Sequence, residues 1–310
     1  MSAYSERKVE GVVVRKGSKD IRVDTPDGTL LCSLRGRFRR GERGRSPVVV
    51  GDRVLVSVLS ETEGVLESIL PRRSELMRGT AGGRPNVVAA NVDRLLVVLA
   101  ARSPPPRWSL VDRMLVAAER DSLEPAICLN KKDQVAAGSQ DARSLESALE
   151  VYRGLGYVSF SISALRGTGL EPLESWLKDE VTVFSGHSGV GKSTLLNCLI
   201  PGLEVGTGRV NAVTGKGRHT TAAVSLFGLP SGGYVADTPG FREFFPVGLK
   251  RAELGRHYPE FRRVQVSCRY SDCLHRVEPS CAVRDGVESG EISRLRYDNY
   301  LQILSTLVEV

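Results

Sequence analysis

Short runs of β-branched residues open the chain. The segments VEGVVVRK (9–16), DIRVDTPDG (20–28), TLLCSL (29–34) and GDRVLVSVL (51–59) predict strands, with turn chemistry such as Asp27-Gly28 between them. About five short strands in such a length fit a small closed β-barrel, the oligonucleotide-binding (OB) type first among them. From about residue 86 the pattern changes. The apolar runs VDRLLVVLA (92–100), EPAICLN (124–130), YVSFSIS (157–163), VTVFSG (181–186) and VSLFGLPSGGYVADTPG (224–240) alternate with amphipathic segments at 110–120, 143–156, 171–180 and 192–200. Buried strands alternating with helices predict a parallel sheet with helices on both faces. Ser103-Pro-Pro-Pro106 is a rigid break ahead of a helix starting near Leu110. After residue 250 the alternation stops, and a last helix is predicted near 289–305. The chain therefore divides into an OB-like barrel (1–77), an α/β domain (78–250) and a C-terminal segment (251–310).

Composition narrows the class without choosing a function. Of the 310 residues 41% are hydrophobic and 25% charged, as in ordinary globular proteins. No apolar run reaches the ~20 residues of a membrane span, and MSAYSERKVEG lacks the apolar core of a secretion signal. A cytoplasmic protein without a membrane partner is expected. The net charge of +7 lies in the first two regions, with 15 Lys/Arg against 11 Asp/Glu over 1–77 and an even balance over 251–310. That excess permits a nucleic-acid partner without requiring one. Arg35, Arg37, Arg39, Arg40, Arg43 and Arg45 face a single acid, Glu42, in one stretch around Phe38. It reads either as a solvated loop or as an arm for phosphate oxygens, which suit arginine forks.

The chemistry begins at Gly186-His187-Ser188-Gly189-Val190-Gly191-Lys192-Ser193-Thr194, between a strand-like VTVFS and a helix-like STLLNCLI. This is a GxxxxGK[ST] phosphate loop in its required context. Its glycines let backbone N–H groups curl around phosphates at the positive end of a helix. Lys192 is expected on the β- and γ-phosphates and Ser193 on Mg²⁺. His187 sits at a variable position of the loop and carries no assigned role. About 45 residues on, Asp237-Thr-Pro-Gly240 ends a strand. Asp237 is placed to hold Mg²⁺ through its water shell, and Gly240 to approach the γ-phosphate.

Asn130-Lys131-Lys132-Asp133 follows the apolar AICL and matches the NKxD guanine motif. Asp133 accepts from the ring N–H and the exocyclic amine, a pair that adenine does not offer, while Asn130 and the Lys131 stem brace the pocket. Ser163-Ala164-Leu-Arg-Gly-Thr-Gly169 is the companion loop, with backbone for the guanine carbonyl. GTP is thus expected over ATP, against the rival reading of a phosphate-loop kinase or ATPase. Ordinary GTPases run phosphate loop, DxxG, NKxD, SA loop; here NKxD and the SA loop come first. The domain reads as a circularly permuted GTPase, since a site built from strand ends in space does not depend on chain order.

Cys268-x4-Cys273-x-His275-x5-Cys281 supplies three thiolates and an imidazole, a closed tetrahedral set for one structural Zn²⁺. The remaining cysteines, Cys32, Cys128 and Cys198, read as small core residues.

In the order barrel, AANVDRLLVV, NKKD, SALRGTG, GHSGVGKST, GRHTT, DTPGF and zinc cluster, nearly the whole chain resembles the permuted GTPase family called RsgA or YjeQ, the small-ribosomal-subunit-dependent GTPases. The resemblance implies GTP hydrolysis to GDP and phosphate, stimulated by the small subunit and its rRNA during late subunit maturation. The chain is expected to act as a monomer. A GTP-regulated switch on another RNA is the alternative. In Gly217-Arg-His219-Thr220-Thr221 one threonine is expected to complete the Mg²⁺ shell; the family often shows a third, but this chain has Ala222, so Thr220 and Thr221 both remain candidates. Phe241 stands where Ras-like enzymes carry a water-orienting glutamine. The resemblance makes His219 the candidate substitute, with a solvated switch residue as the plain alternative.

Overall fold

The protein is described from a computed structural model that covers residues 7–17, 20–34, 48–80, 83–204, 224–237 and 249–307, with the backbone alone for 78–80, 83–86 and 237. The Arg35–Arg45 stretch, His219, Thr220, Thr221, Gly240 and Phe241 lie outside the described residues.

The N-terminal strands are β1 (Lys8–Lys16), β2 (Ile21–Thr25), β3 (Gly28–Leu34), β4 (Arg53–Val58) and β5 (Glu63–Ile69). They pair in the order β1-β2-β3-β5-β4, and β4 closes back on β1. The β3–β5 pairing is parallel and the others are antiparallel. This is a closed five-stranded barrel of the OB type. Its core is a set of alternate inward positions that includes Val13, Val23, Leu30, Val54, Val56 and Leu66. Strand β1 carries three consecutive valines because it serves two cores. Val13 points into the barrel, while Val12 and Val14 pack on the neighbouring α/β core.

A hairpin that the sequence pattern does not show, β6 (Glu75–Thr80) and β7 (Gly83–Ala90), follows the barrel. Leu76 and Ala89 tuck beneath the α/β core. Next come β8 (Arg94–Ala100), α1 (Trp108–Arg120), β9 (Glu124–Asn130), α2 (Gln140–Gly154), β10 (Val158–Ser161), α3 (Glu171–Leu177), β11 (Val181–Ser185), α4 (Lys192–Leu199), β12 (Ser225–Gly228) and β13 (Tyr234–Asp237). The strands lie in the order β10-β9-β8-β11-β13-β12, parallel except for β12. One face packs Val97, Leu99, Met114, Leu115, Leu149 and Tyr152. The other packs Leu96, Val98, Leu173, Leu177, Phe184, Leu195 and Leu196. The near-continuous apolar strands thus have helices on both sides.

One reading needs correction here. Cys32 and Cys128 are buried, but Cys198 is exposed. Helix α4 buries Leu195, Leu196 and Leu199. At ~100° per residue, Cys198 falls outside the arc those three define.

The C-terminal segment holds α5 (Arg251–Leu254), α6 (Pro259–Val264), α7 (Ala282–Ser289) and α8 (Arg294–Thr306). The last helix begins at Arg294, because Gly290 (φ +82°) caps α7 in the left-handed region and separates the two helices. Helix α8 packs on α1, and Val116 of α1 belongs to the C-terminal core with Leu254, Phe261, Tyr300 and Ile303. At this seam lies a buried ionic cluster. The Arg296 guanidinium donates to Glu260 Oε1 at 2.7 Å and to Asp112 of α1, whose other oxygen accepts from Asn299 Nδ2 at 2.8 Å. Burial disfavours the Arg296 charge, but the Asp112 and Glu260 carboxylates outweigh it and hold its pKa well above the ordinary value.

Candidate functional site

Strands β8, β9, β11 and β13 run parallel, so their C-terminal ends share one edge of the sheet. That edge gathers the sequence motifs. The phosphate loop leaves β11, NKKD leaves β9, the SA loop leaves β10, and Asp237 ends β13 opposite Phe184 of β11.

The phosphate loop has its shape because of its glycines. Gly186 has φ +148°, and a Cβ there would meet the Val98 carbonyl oxygen at 2.2 Å. Gly191 has φ +97°, and a Cβ would lie 2.4 Å from Asn130 Nδ2. Both positions exclude any other residue, through backbone conformation as well as space. Gly191 is the N-cap of α4, so the first-turn N–H groups of Lys192, Ser193 and Thr194 point into the loop. Lys192 Nζ donates to the carbonyls of Gly186 at 2.8 Å and His187 at 3.1 Å, which holds the ammonium over the loop's centre. Val190 is buried, while Ser188 and Gly189 are exposed. His187 Nδ1 lies 2.9 Å from the Ser188 carbonyl.

Asn130 joins the three loops. It is buried, its Nδ2 donates to the Val190 carbonyl at 3.0 Å, and its Oδ1 accepts from the N–H groups of Lys131 (2.7 Å) and Ala164 (3.0 Å). A single amide therefore fixes the phosphate loop, NKKD and the SA loop relative to one another. Lys131 adopts φ +62° and donates its Nζ to the Gly189 and Ser103 carbonyls. Its stem thus lies along the mouth of the pocket. Lys132 donates its N–H to the Ile162 carbonyl at 3.0 Å, and its side chain is exposed. The buried Ser163 hydroxyl donates to Asp133 Oδ1 and aims the exposed carboxylate. Ala164 is buried beside them.

Ser103 is a participant that the sequence reading missed, because Ser103-Pro-Pro-Pro106 signalled only a break. Its carbonyl holds Lys131, and Pro104 lies against Gly189. A backbone carbonyl carries no residue-type signal, so no motif search finds it. Asp237 is placed by its backbone alone, and the switch candidates Thr220, Thr221, His219 and Gly240 are outside the described residues.

The Cys/His cluster forms a second centre. Ligand atoms of Cys268, Cys273, His275 and Cys281 all lie within 4.8 Å of one another. His275 Nδ1 faces Cys281 Sγ at 3.4 Å and Cys268 Sγ at 3.7 Å. Tetrahedral zinc with bonds of ~2.3 Å to sulfur needs sulfurs ~3.8 Å apart, so the set fits that ion. Burial pushes the Cys273 thiol up to about 12 and raises that of Cys281, while it lowers the His275 pKa. A neutral imidazole is ready to ligate, and binding of a cation would displace the thiol protons. Around the cluster, the Tyr297 and Tyr300 hydroxyls donate to the His275 and Leu274 carbonyls at 2.7 and 2.9 Å. These bonds tie the ligand loop to α8.

Comparison with known proteins places this architecture. The profile of the RsgA GTPase family matches residues 69–245. The small ribosomal subunit biogenesis GTPase RsgA of Chlorobaculum tepidum is 42% identical, over 97% of this chain and 99% of its own length. The protein of that name from Bacteroides fragilis (strain ATCC 25285) is 38% identical over 96% of each chain. The crystal structure of YjeQ from Thermotoga maritima superposes with a TM-score of 0.79 at 34% identity, covering 96% of this chain and 98% of that one. YloQ, described as a circularly permuted GTPase, gives a TM-score of 0.75 at 31% identity, covering 98% of this chain and 96% of that one.

Proposed function

The chain belongs to the RsgA family of circularly permuted GTPases, and from that premise we propose that it hydrolyses GTP as a late assembly factor of the small ribosomal subunit, stimulated by that subunit and bound to its rRNA. The observation that carries the GTPase reading is the junction at Asn130, where one buried amide holds the phosphate loop, NKKD and the SA loop at a common sheet edge. The subunit as partner is supported by the names of relatives that match this chain from end to end. Binding of purified small subunits, in the presence of a non-hydrolysable GTP analogue and in preference to other RNAs, tests it.

The roles proposed here carry over from the sequence motifs, and the geometry of the described loops supports them. The N–H groups of residues 186–194, with Lys192, bind the β- and γ-phosphates, and Ser193 and Asp237 serve Mg²⁺, Asp237 through water. Held there, Mg²⁺ would supply charge neutralisation at the phosphates. Gly240, one of Thr220 and Thr221, and His219 complete the site as the family pattern implies, His219 by orienting the water. Asp133 reads guanine. Asp133→Asn is expected to weaken GTP about 10- to 100-fold, since a hydrogen bond to a charged group contributes roughly 1.5–3 kcal/mol. It should favour xanthine nucleotide, whose ring carbonyl takes the new amide donor. Nucleotide competition measures this, and unchanged GTP affinity would remove Asp133 from recognition.

We assign one structural Zn²⁺ per chain to Cys268, Cys273, His275 and Cys281. Metal analysis of protein purified without chelator should give about one zinc. Stripping it should unfold the C-terminal segment, because its core is built around the ligand loop. A metal-free, fully folded segment would contradict the assignment. We propose the division 1–77, 78–250 and 251–310; its first boundary falls within β6 of the hairpin that links barrel and nucleotide domain. A monomer acting in the cytoplasm accords with this function, and among the described residues no helix is long and apolar enough to cross a membrane.

A further inference from the structure

The barrel and the nucleotide domain share one hydrogen-bonded sheet of eleven strands, and the strand that joins them is β12. It follows directly on the segment that holds Thr220 and Thr221, while its neighbour β13 ends at Asp237. The strand that ends at the magnesium candidate Asp237 is therefore paired with the strand that meets the barrel. We infer that Tyr234 is a positioning residue for GTP turnover: its hydrogen bond to Asp24 clamps these strands to the barrel, so that a partner seated on the barrel acts on the magnesium end of the nucleotide site. The inference rests on the proposed subunit-stimulated activity.

Three contacts make the clamp. Arg15 of β1 pairs with Ser225 of β12. Val12 and Val14 of β1 share a core with Val224, Leu226 and Tyr234. The Tyr234 hydroxyl, at the start of β13, donates to Asp24 Oδ2 of β2 at 2.9 Å. The other oxygen of Asp24 accepts from Thr29 Oγ1 at 3.1 Å, which fixes the carboxylate as an acceptor. Burial and the neighbouring carboxylate push the Tyr234 hydroxyl well above its ordinary pKa, so it stays a donor at working pH.

Strands β12 and β13 have four residues each, and β12 lies at the edge of the nucleotide sheet. A short edge strand on a single neighbour frays readily. Pairing on its far side with β1 converts β12 into an internal strand. Movement of the barrel therefore reaches the backbone of Asp237 through two strands of four residues each.

Basal turnover, stimulated turnover, GTP KM and affinity for small subunits should be measured for the full chain and for Tyr234→Phe, Asp24→Ala, Asp24→Asn and the double variant Tyr234→Phe/Asp24→Ala. Tyr234→Phe and Asp24→Ala should keep basal turnover, KM and subunit affinity. Their stimulated kcat should fall by about tenfold or more, the factor carried by a lost hydrogen bond to a charged group. Asp24→Asn, which still accepts, should retain stimulation. The double variant should lose no more than either single one. Full stimulation in Tyr234→Phe overturns the inference, as do equal losses of basal and stimulated rates or additive losses in the double variant. Absence of stimulation in the unmutated protein overturns the underlying function, and the inference with it. That result is recognisable because it precedes any substitution.

Discussion

Lys192→Ala is expected to lower GTP turnover at saturating substrate by about 100- to 1,000-fold, the effect of removing one preorganised group from developing charge. Phosphoryl transfer asks little covalent chemistry of a protein and depends on positioning and electrostatics. The two carbonyls that hold Lys192 Nζ, those of Gly186 and His187, belong to the loop itself, so the ammonium is set where the phosphates must sit. Alanine also removes the cation that offsets phosphate charge during binding. The fold should survive, because Lys192 is only half-buried in the first turn of α4 and Leu195, Leu196 and Leu199 anchor that helix. Arginine should not restore activity, since its planar fork does not reproduce a compact ammonium. Phosphate release and a thermal melt recorded on the same preparation separate the outcomes. Retention of turnover within a few-fold would take Lys192 out of the mechanism.

Arg296→Met should destabilise the C-terminal segment by about 3–5 kcal/mol at neutral pH, the usual consequence of breaking a buried ion cluster from one side. Methionine fills much of the volume, so packing is not the cause. What remains is two carboxylates, Asp112 at 0% and Glu260 at 6% exposure, that have lost the guanidinium they share. Burial already pushes the Asp112 carboxyl above its ordinary value against the pull of Arg296. Without the guanidinium that shift must grow. A carboxyl whose folded-state pKa is raised contributes stability at pH below its unfolded value and loses it as pH rises through the folded one. Acidification from neutral pH toward 5 should therefore recover part of the loss in the variant. Because Asp112 lies on α1 and Glu260 on α6, the damage should appear as separation of the C-terminal segment while GTP binding persists. Denaturant midpoints at several pH values measure this, and a variant as stable as the parent at neutral pH would contradict it.

How far the sequence carries depends on the range of the interaction. Phosphate loop, NKKD, SA loop and Cys/His cluster were legible because each concentrates its chemistry in a few consecutive residues. Their assembly at one edge follows from parallel strands, so the arrangement of the described loops was readable as well. The barrel was legible from short β-branched runs, yet Val12-Val13-Val14 gave no sign that β1 serves two cores, since an unbroken apolar run fits several placements. The β6–β7 hairpin was missed because GTAGGRP (79–85) reads as a loop and few of its neighbours alternate. Asp112 and Arg296 stand 184 residues apart, and no local pattern reports such a pairing. The Cys198 error came from treating every apolar-flanked cysteine as core instead of placing it on the helix face.

The central claim is that this GTPase works on the small ribosomal subunit. Phe241 stands in the sequence position where Ras-like enzymes carry a water-orienting glutamine, and a stimulation of ~100-fold requires only about 2.7 kcal/mol of added transition-state stabilisation. The direct test is steady-state GTP turnover with and without purified small subunits, with large subunits as the control. The account predicts slow turnover alone and about 100-fold faster turnover with small subunits only. Equal turnover under all three conditions would contradict it.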